Sequence, residues 1–247
     1  MQVVVDGLLT NYIESGKGRP ILLLHGWGDS SATFKKLSGE LDDTFRILAL
    51  DLPGFGGSQK PDKGWELNDY TNFLVHWLKK IEVEKIHGVI GHSNGGAIAI
   101  YALATDKLQA NKLVLLSSAG IRIPRKAIKS VAKVGKVLTS PLPGSIKSRI
   151  RKRFYGSIDS EALILPQMEE TFRKIVSHDV LADAAKITIP TLIIYGENDT
   201  DTPPDYGDKF HAAIKNSRLK IVENAGHFVH HDQTAEVNKT ILEFLAK

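Results

Sequence analysis

Short apolar runs recur along the chain, and each ends at a glycine or a polar residue. Unbroken apolar runs of this kind are typical of parallel strands that are covered on both faces. They predict strands over residues 21–24, 45–50, 86–90, 113–116, 191–195 and 219–222. Two segments around Asp6-Gly7, residues 3–5 and 8–13, predict an antiparallel hairpin that precedes the others.

Between these strands, apolar residues recur at helical spacing. The spacing predicts helices over 67–81, 94–104 and 234–245, with Asn68 as the N-cap of the first. Strands that alternate with helices form βαβ units and a mostly parallel sheet, so the fold class is α/β. The alternation stops at Gly120 and resumes near Ile189, and the segment between shows helical patterns without a clear strand. We therefore expect a core of residues 1–120 and 188–247 and an inserted helical cap over 121–187.

The charge pattern also sets the cap apart. The 247 residues carry a formal net charge of +4, but from Lys107 to Ile158 there are basic residues and no acidic one. Lys126, Lys129, Lys133 and Lys136 share one helix face, which is typical of a solvated surface helix. A weak contact of this face with anionic surfaces is a further expectation. Nucleic-acid binding is not expected, because the stripe lacks interleaved aromatic residues.

Composition narrows the chemistry. Cysteine is absent, which excludes disulfides, thiolate metal sites and a cysteine nucleophile. No segment approaches the about 18 consecutive apolar residues of a membrane span, and the first residues lack the features of a signal peptide, so we expect a soluble, cytoplasmic protein. No phosphate-binding loop, dinucleotide fingerprint or metal-binding His-x-x-x-His motif is found, and therefore no cofactor and no metal are expected.

The clearest chemical motif is Gly91-His92-Ser93-Asn94-Gly95, which follows a predicted strand and opens a predicted helix. A turn this sharp leaves almost no room for a side chain at the second residue before or after the serine, which explains Gly91 and Gly95. The turn also exposes the serine hydroxyl at the helix N-terminus. The carboxyl edge of a parallel sheet is where α/β proteins bind ligands. Ser93 is therefore the candidate nucleophile.

A serine hydroxyl needs a base, and the base needs a carboxylate that orients it. His227 follows the last predicted strand and is the candidate base; His230 and His231 are interpreted as a surface pair. His25 and His92 flank the site and are interpreted as loop-organising hydrogen-bonding residues.

The loop after the strand over 191–195 offers three acids, Glu197, Asp199 and Asp201, and spacing alone does not decide among them. The loop His25-Gly26-Trp27-Gly28 and the residue after Ser93 supply the two candidate oxyanion donors, the backbone N–H groups of Trp27 and Asn94.

Taken together, these motifs resemble the α/β-hydrolase superfamily, in particular its small serine hydrolases with a helical cap. The resemblance includes Asp51-Leu52-Pro53-Gly54-Phe55-Gly56-Gly57-Ser58 and a Gly-x-x-Asp motif over 196–199, which is where the family places its acid. It implies Asp199 as the orienting acid and an eight-stranded, mostly parallel sheet with helices on both faces and the cap inserted after the sixth strand.

The implied activity is that of a carboxylesterase-type serine hydrolase, which cleaves small to medium esters through an acyl-enzyme. A C–C bond hydrolase or a lactonase would use the same triad, and these remain alternatives. A non-catalytic ligand-binding module is a further alternative, although such a protein is expected to have lost a member of the triad, and all three are present. The aspartate-nucleophile branches of the superfamily, haloalkane dehalogenases and epoxide hydrolases, are disfavoured by the serine at position 93.

Overall fold

A computed structural model describes residues 1–122 and 165–247. Within these ranges the strands are β1 (Gln2–Val5), β2 (Leu8–Ser15), β3 (Arg19–Leu24), β4 (Phe45–Leu50), β5 (Ile86–His92), β6 (Ala110–Leu116), β7 (Thr191–Gly196) and β8 (Ser217–Val222). The α-helices are α1 (Lys35–Leu41), α2 (Leu67–Lys80), α3 (Asn94–Ala104), α4 (Glu169–Ser177), α5 (Leu181–Ala184), α6 (Pro204–Ala213), α7 (Val229–Asp232) and α8 (Thr234–Ala246).

The eight described strands form one sheet in the order β1-β2-β4-β3-β5-β6-β7-β8. β1 pairs with β2, and β2 with β4, in antiparallel fashion, and every other pair is parallel. The predicted strands and the starting hairpin are all present, most of them one to three residues longer than the apolar run that indicated them. The α/β-hydrolase architecture expected from the resemblance is confirmed.

Alternate residues of each central strand serve opposite faces of the sheet. In β3, Leu22 and Leu24 pack into one cluster with α2 and α3, and Ile21 and Leu23 pack into another with α1 and α8. All four side chains have no exposed surface. Because both faces are covered by helices, the central strands need the continuous apolar runs seen in the sequence.

Two details of the helices differ from the prediction. Asn68 is not the N-cap of α2, because the helix already begins at Leu67 and the cap residue is Glu66, whose N–H donates to the side chain of Asp69. Asn68 lies inside the first turn, where its side chain accepts a hydrogen bond from Lys107. Helices α1 and α6 were not predicted.

The predicted cap lies between β6 and β7, and part of it can be described. Its last third contains α4 and α5, with a short 3₁₀ helix over Pro166–Met168 ahead of them. The four lysines of the basic face lie outside the described residues. The domain boundaries therefore stay a prediction.

Candidate active site

Ser93 occupies a sharp turn between β5 and α3. Its backbone adopts φ 50° and ψ −117°, which is a strained conformation for a residue with a side chain. A Cβ on Gly91 would lie 2.6 Å from the carbonyl oxygen of Gly95, and a Cβ on Gly95 would meet the backbone of β3. The turn therefore requires glycine at both positions, as the motif predicted.

Hydrogen bonds hold this turn from two sides. The Ser93 N–H donates to the carbonyl of Leu116 at 3.0 Å, which joins the turn to the end of β6. The Ser93 carbonyl accepts from Gly96 and Ala119, each at 3.0 Å. The strained backbone is thus fixed by the surrounding loops, and the Ser93 side chain lines a pocket at the carboxyl edge of the sheet.

His227 and Asp199 lie on the loops after β8 and β7 and are in direct contact. Nδ1 of His227 lies 3.0 Å from Oδ2 and 3.2 Å from Oδ1 of Asp199. With the proton on Nδ1, the neutral ring keeps Nε2 as its basic nitrogen. Asp201, the competitor on the same loop, has no such contact with the ring in the described residues. The contact agrees with the acid that the resemblance indicated.

The carboxylate of Asp199 is buried and accepts hydrogen bonds from its own loop. Oδ1 accepts from the N–H groups of Asp201 and Thr202, both at 2.9 Å. Burial would raise the pKa of Asp199, but the hydrogen bonds from His227 and Thr202 outweigh it and leave that pKa below its ordinary value. Asp199 is therefore an anion suited to orient an imidazole and to stabilise its cation.

Thr202 is a part of this network that the sequence analysis missed. Its buried hydroxyl oxygen lies 2.9 Å from Oδ2 of Asp199, 3.1 Å from Nδ1 of His227 and 3.0 Å from the carbonyl of Ser117. A hydroxyl has one proton, so it donates to either Asp199 or Ser117 while its lone pairs face the His227 N–H.

His92 links the turn at Ser93 to the loop of His227. Its Nε2 donates to the carbonyl of His227 at 3.0 Å, and the two rings lie 4.9 Å apart between centroids. Burial holds the pKa of His92 well below its usual value, so the ring is neutral. The hydrogen bond of His92 thus ties the turn at Ser93 to the loop of His227, at the carboxyl edge of the sheet.

His25 organises the loop that carries Trp27. Its Nδ1 donates to the carbonyl of Gly26 at 2.7 Å, and its Nε2 accepts from the Leu52 N–H at 3.0 Å. The Trp27 ring meets Phe55 edge-on, with centroids 4.9 Å apart. The interpretation of His25 and His92 as loop-organising residues is confirmed.

The interpretation of His230 and His231 as a surface pair is wrong for one of the two. His231 is exposed, but His230 is only 2% exposed and stacks on Phe34 with ring centroids 5.5 Å apart. Burial and the nearby His231 and His227 lower the pKa of His230 to about 3. The short helix α7 turns this side chain inward, which the sequence position alone did not indicate.

A pocket opens beside Ser93 and Asn94. Its empty volume is about 690 Å³, including space open to solvent. Trp27, Phe172 and Ile175 provide much of its apolar lining, and Asp201 and His178 are among its polar groups. The backbone N–H of Asn94, in the first turn of α3, is one of those that a helix leaves without an intrahelical acceptor. Trp27 and Asn94 therefore both border the pocket in which a substrate would meet Ser93.

Residues 1–122 and 165–247 lack two features. They contain no cluster of three His, Asp or Glu side chains that could hold a metal ion. Nor do they contain a helix with the length and apolar character that crossing a membrane requires.

Comparison with known proteins agrees with the fold. The model of the alpha/beta hydrolase family matches residues 21–240, and the chain belongs to this family. The AB hydrolase superfamily protein YisY of Bacillus subtilis is 25% identical, over 96% of this chain and 95% of its own. The 2-hydroxy-6-oxo-6-(2'-aminophenyl)hexa-2,4-dienoic acid hydrolase of Metapseudomonas resinovorans is 24% identical, over 99% and 90% of the two chains.

Among solved structures, a thermophilic esterase from Thermogutta terrifontis is similar in fold. Its TM-score is 0.76 at 22% identity, and the match covers 100% of this chain and 98% of the esterase. The family and its fold support a hydrolase, and they leave the bond that is cleaved to be argued from the site.

Proposed function

We propose that this protein is a serine hydrolase that cleaves small to medium carboxylic esters through an acyl-enzyme. One observation carries the proposal: a hydrogen-bonded Asp199–His227 pair lies at the same sheet edge as Ser93, which sits in a strained turn at a helix N-terminus. An anionic acid, a neutral imidazole and a serine at such a turn form the arrangement that activates a hydroxyl for attack on a carbonyl.

In this mechanism the Ser93 hydroxyl attacks the ester carbonyl while Nε2 of His227 takes its proton. Asp199 keeps the proton of the ring on Nδ1 and stabilises the imidazolium that forms. His227 then gives the proton to the leaving alcohol, and the same base activates the water that hydrolyses the acyl-enzyme. The N–H groups of Trp27 and Asn94 would hold the oxyanion, and each such donor is typically worth about 3–4 kcal/mol.

The principal alternatives use the same residues. A C–C bond hydrolase is supported by the relationship to the dienoic acid hydrolase of M. resinovorans, and an ester substrate by the fold shared with the T. terrifontis esterase. A lactonase differs from an esterase only in that the alcohol stays attached to the acyl group. We favour esters because attack on an ester carbonyl needs no group beyond Ser93, the Asp199–His227 pair and two backbone N–H donors.

Three wider parts of the proposal rest on sequence. Residues 121–187 would form the cap that completes the pocket, and Phe172 and Ile175 of α4 support this because they line it. The basic face of the cap as a contact for anionic surfaces, and a cytoplasmic location, stay predictions.

Labelling with a fluorophosphonate tests the nucleophile, and turnover of p-nitrophenyl acetate and butyrate tests the reaction. We expect the wild type to be labelled and active, and Ser93→Ala to lose both properties while it keeps its fold by circular dichroism. Asn94→Ala is the matched control beside it, because only its backbone is used, and we expect a loss of less than about tenfold. Wild-type turnover by Ser93→Ala would remove Ser93 as the nucleophile.

A second assay separates the alternatives. A vinylogous diketone, the substrate type of C–C hydrolases, should be cleaved much more slowly than butyrate esters. Cleavage of the diketone with no turnover of any simple ester would replace the ester proposal. Absence of fluorophosphonate labelling together with tight ligand binding would favour a non-catalytic module.

A further inference from the structure

Asp201 borders the pocket beside Ser93 without belonging to the Asp199–His227 pair. Its N–H donates to Oδ1 of Asp199 at 2.9 Å, so its backbone is fixed by the same carboxylate that orients the base. Its side chain is half-buried and lines the pocket together with Ser93 and Trp27. The position therefore places a carboxyl group within the space that a substrate must enter.

The other buried or half-buried carboxylates near this edge have donors among the described residues, and Asp201 has none there. Asp51 accepts from three groups, Asp199 from its own loop and from His227, and Asp183 from His178 and Lys186. In residues 1–122 and 165–247, no hydrogen bond or ion pair reaches the Asp201 carboxylate. Burial, with the charge of Asp199 adding to it and that of His227 opposing it, raises the pKa of Asp201. Among the described residues, the Asp201 carboxylate thus has no hydrogen-bond donor that would offset the cost of its burial.

The rest of the described lining cannot neutralise this charge. Trp27, Phe172 and Ile175 are apolar, and the one imidazole among the described lining residues, His178, is bonded through Nε2 to Asp183 at 3.1 Å. In a partly buried site with a low effective dielectric, a unit charge acts strongly on another charge several Å away. Asp201 therefore acts on the charge of whatever occupies the pocket.

We propose that Asp201 is a specificity-determining residue that selects substrates by charge: esters with a cationic or hydrogen-bond-donating group are favoured, neutral esters are accepted, and anionic esters are rejected. The proposal rests on the proposed serine hydrolase function and names its substrate class. A cation or an N–H or O–H group on the substrate would supply the partner that the carboxylate lacks. A carboxylate on the substrate would instead face a like charge in a place with little water.

Three acetyl thioesters of similar size and different charge test the proposal. They are acetylthiocholine, its neutral isostere 3,3-dimethylbutyl thioacetate, and S-acetyl-3-mercaptopropionate, which is an anion. The released thiol is measured with Ellman's reagent, which does not react with the protein because the chain has no cysteine. Each kcat/KM is divided by the rate of hydroxide-catalysed hydrolysis of the same thioester, at pH 8, to remove differences in intrinsic reactivity.

We expect the wild type to prefer the cationic over the anionic thioester by about tenfold or more, as unit charges at this range imply. Asp201→Asn keeps the shape of the side chain and should reduce that ratio at least fivefold while the neutral thioester changes less than about threefold. Glu197→Gln is the matched control, because it removes the same charge from an exposed position of the same loop. It should leave the ratio unchanged.

Two outcomes would overturn the proposal. One is an unchanged ratio in Asp201→Asn, and the other is a wild-type preference for the anionic thioester. Failure of the underlying function looks different, because the neutral thioester would then not be hydrolysed in a Ser93-dependent way. Fluorophosphonate labelling of Asp201→Asn at the wild-type rate shows that the variant is folded and that its catalytic groups are in place.

Discussion

Asp51 joins β2, the short helix that begins at Ser31 and the loop of Gly57, and its replacement by asparagine tests whether these contacts stabilise the fold. The side chain is 2% exposed. Oδ1 accepts from the Ser31 N–H at 2.6 Å, and Oδ2 accepts from Asn11 Nδ2 and the Gly57 N–H, both at 2.8 Å. Asp51→Asn keeps the shape but replaces one acceptor atom by an NH₂ group, which must then face a donor.

The size of the effect follows from these three bonds. If the remaining oxygen faces Asn11 and Gly57, the Ser31 N–H is left buried against another donor, which costs about 1–3 kcal/mol. The two retained bonds lose the charge that made them strong, at about 0.5–1.5 kcal/mol each. Burying a neutral amide in place of an ion recovers part of this cost. We expect Asp51→Asn to lower the free energy of unfolding by about 2–4 kcal/mol, a large part of the 5–15 kcal/mol typical of a domain.

Urea denaturation followed by tryptophan fluorescence measures the change, because the chain contains three tryptophans. Burial alone would raise the pKa of Asp51, but the hydrogen bonds from Ser31, Gly57 and Asn11 hold it below its ordinary value. A carboxyl whose pKa is lowered on folding stabilises the protein fully above its unfolded pKa, about 3.9, and loses that contribution as the pH falls through its folded pKa. The difference between wild type and variant should therefore be constant from pH 8 to about pH 5 and shrink below pH 4.

Asp62→Asn is the matched control, because Asp62 lies on the same loop but is exposed. It should change the free energy of unfolding by less than about 0.5 kcal/mol. A loss below about 1 kcal/mol in Asp51→Asn, or a difference that persists undiminished at pH 3.5, would refute the reasoning.

Three further changes test other parts of the structure. Thr202→Val removes the hydroxyl that contacts both Asp199 and His227, so kcat/KM for a p-nitrophenyl ester should fall about tenfold and the acid limb of its pH profile should shift. Thr202→Ser keeps a hydroxyl and should restore most of the rate and of the profile. An unshifted pH profile in Thr202→Val would show that the hydroxyl is merely structural. Lys112→Met removes an ammonium group that donates to the carbonyls of Phe244 and Leu245 at the end of α8. The free energy of unfolding, measured by chemical denaturation, should fall by about 1–3 kcal/mol. Lys239→Met is the control, because Lys239 is exposed and its replacement should be neutral. Gly39→Ala adds a methyl group to the exposed face of α1, where nothing lies within 4 Å, and should stabilise the protein by about 0.5–1 kcal/mol; destabilisation would show that α1 cannot accept the side chain.

The strands were predictable because their burial leaves a direct mark on the sequence. A strand covered on both faces needs a largely apolar run, and the six runs identified correspond to β3–β8, of which only β8 lies at an edge of the sheet. Helices α1 and α6 left weaker marks. α1 has seven residues with a glycine inside it, and α6 begins at Pro204, since proline is accepted in the first turn of a helix.

The candidate site was predictable only as far as local motifs reach. Gly91 and Gly95 indicate the sharp turn around Ser93, and the position of His227 directly after a predicted strand indicates that it lies at the same edge of the sheet. The choice of Asp199 over Asp201 needed the family resemblance, because spacing does not show which carboxylate faces the ring. Thr202 and the inward side chain of His230 depend on how separate loops pack together, and no pattern along the chain signals that packing.

The bond from His92 to the carbonyl of His227 has a consequence for how this molecule can change. β5 and β8 are separated in the sheet by β6 and β7, yet the residue next to Ser93 is tied directly to the backbone of the base. The distance between the loop after β5 and the loop after β8 is therefore fixed by a direct hydrogen bond and not only by the two strands between them. Substitutions in α4, which supplies Phe172 and Ile175 to the pocket, can therefore change the shape of the pocket without changing the distance between the loops of Ser93 and His227. In this architecture, substrate range and chemical competence can diverge independently.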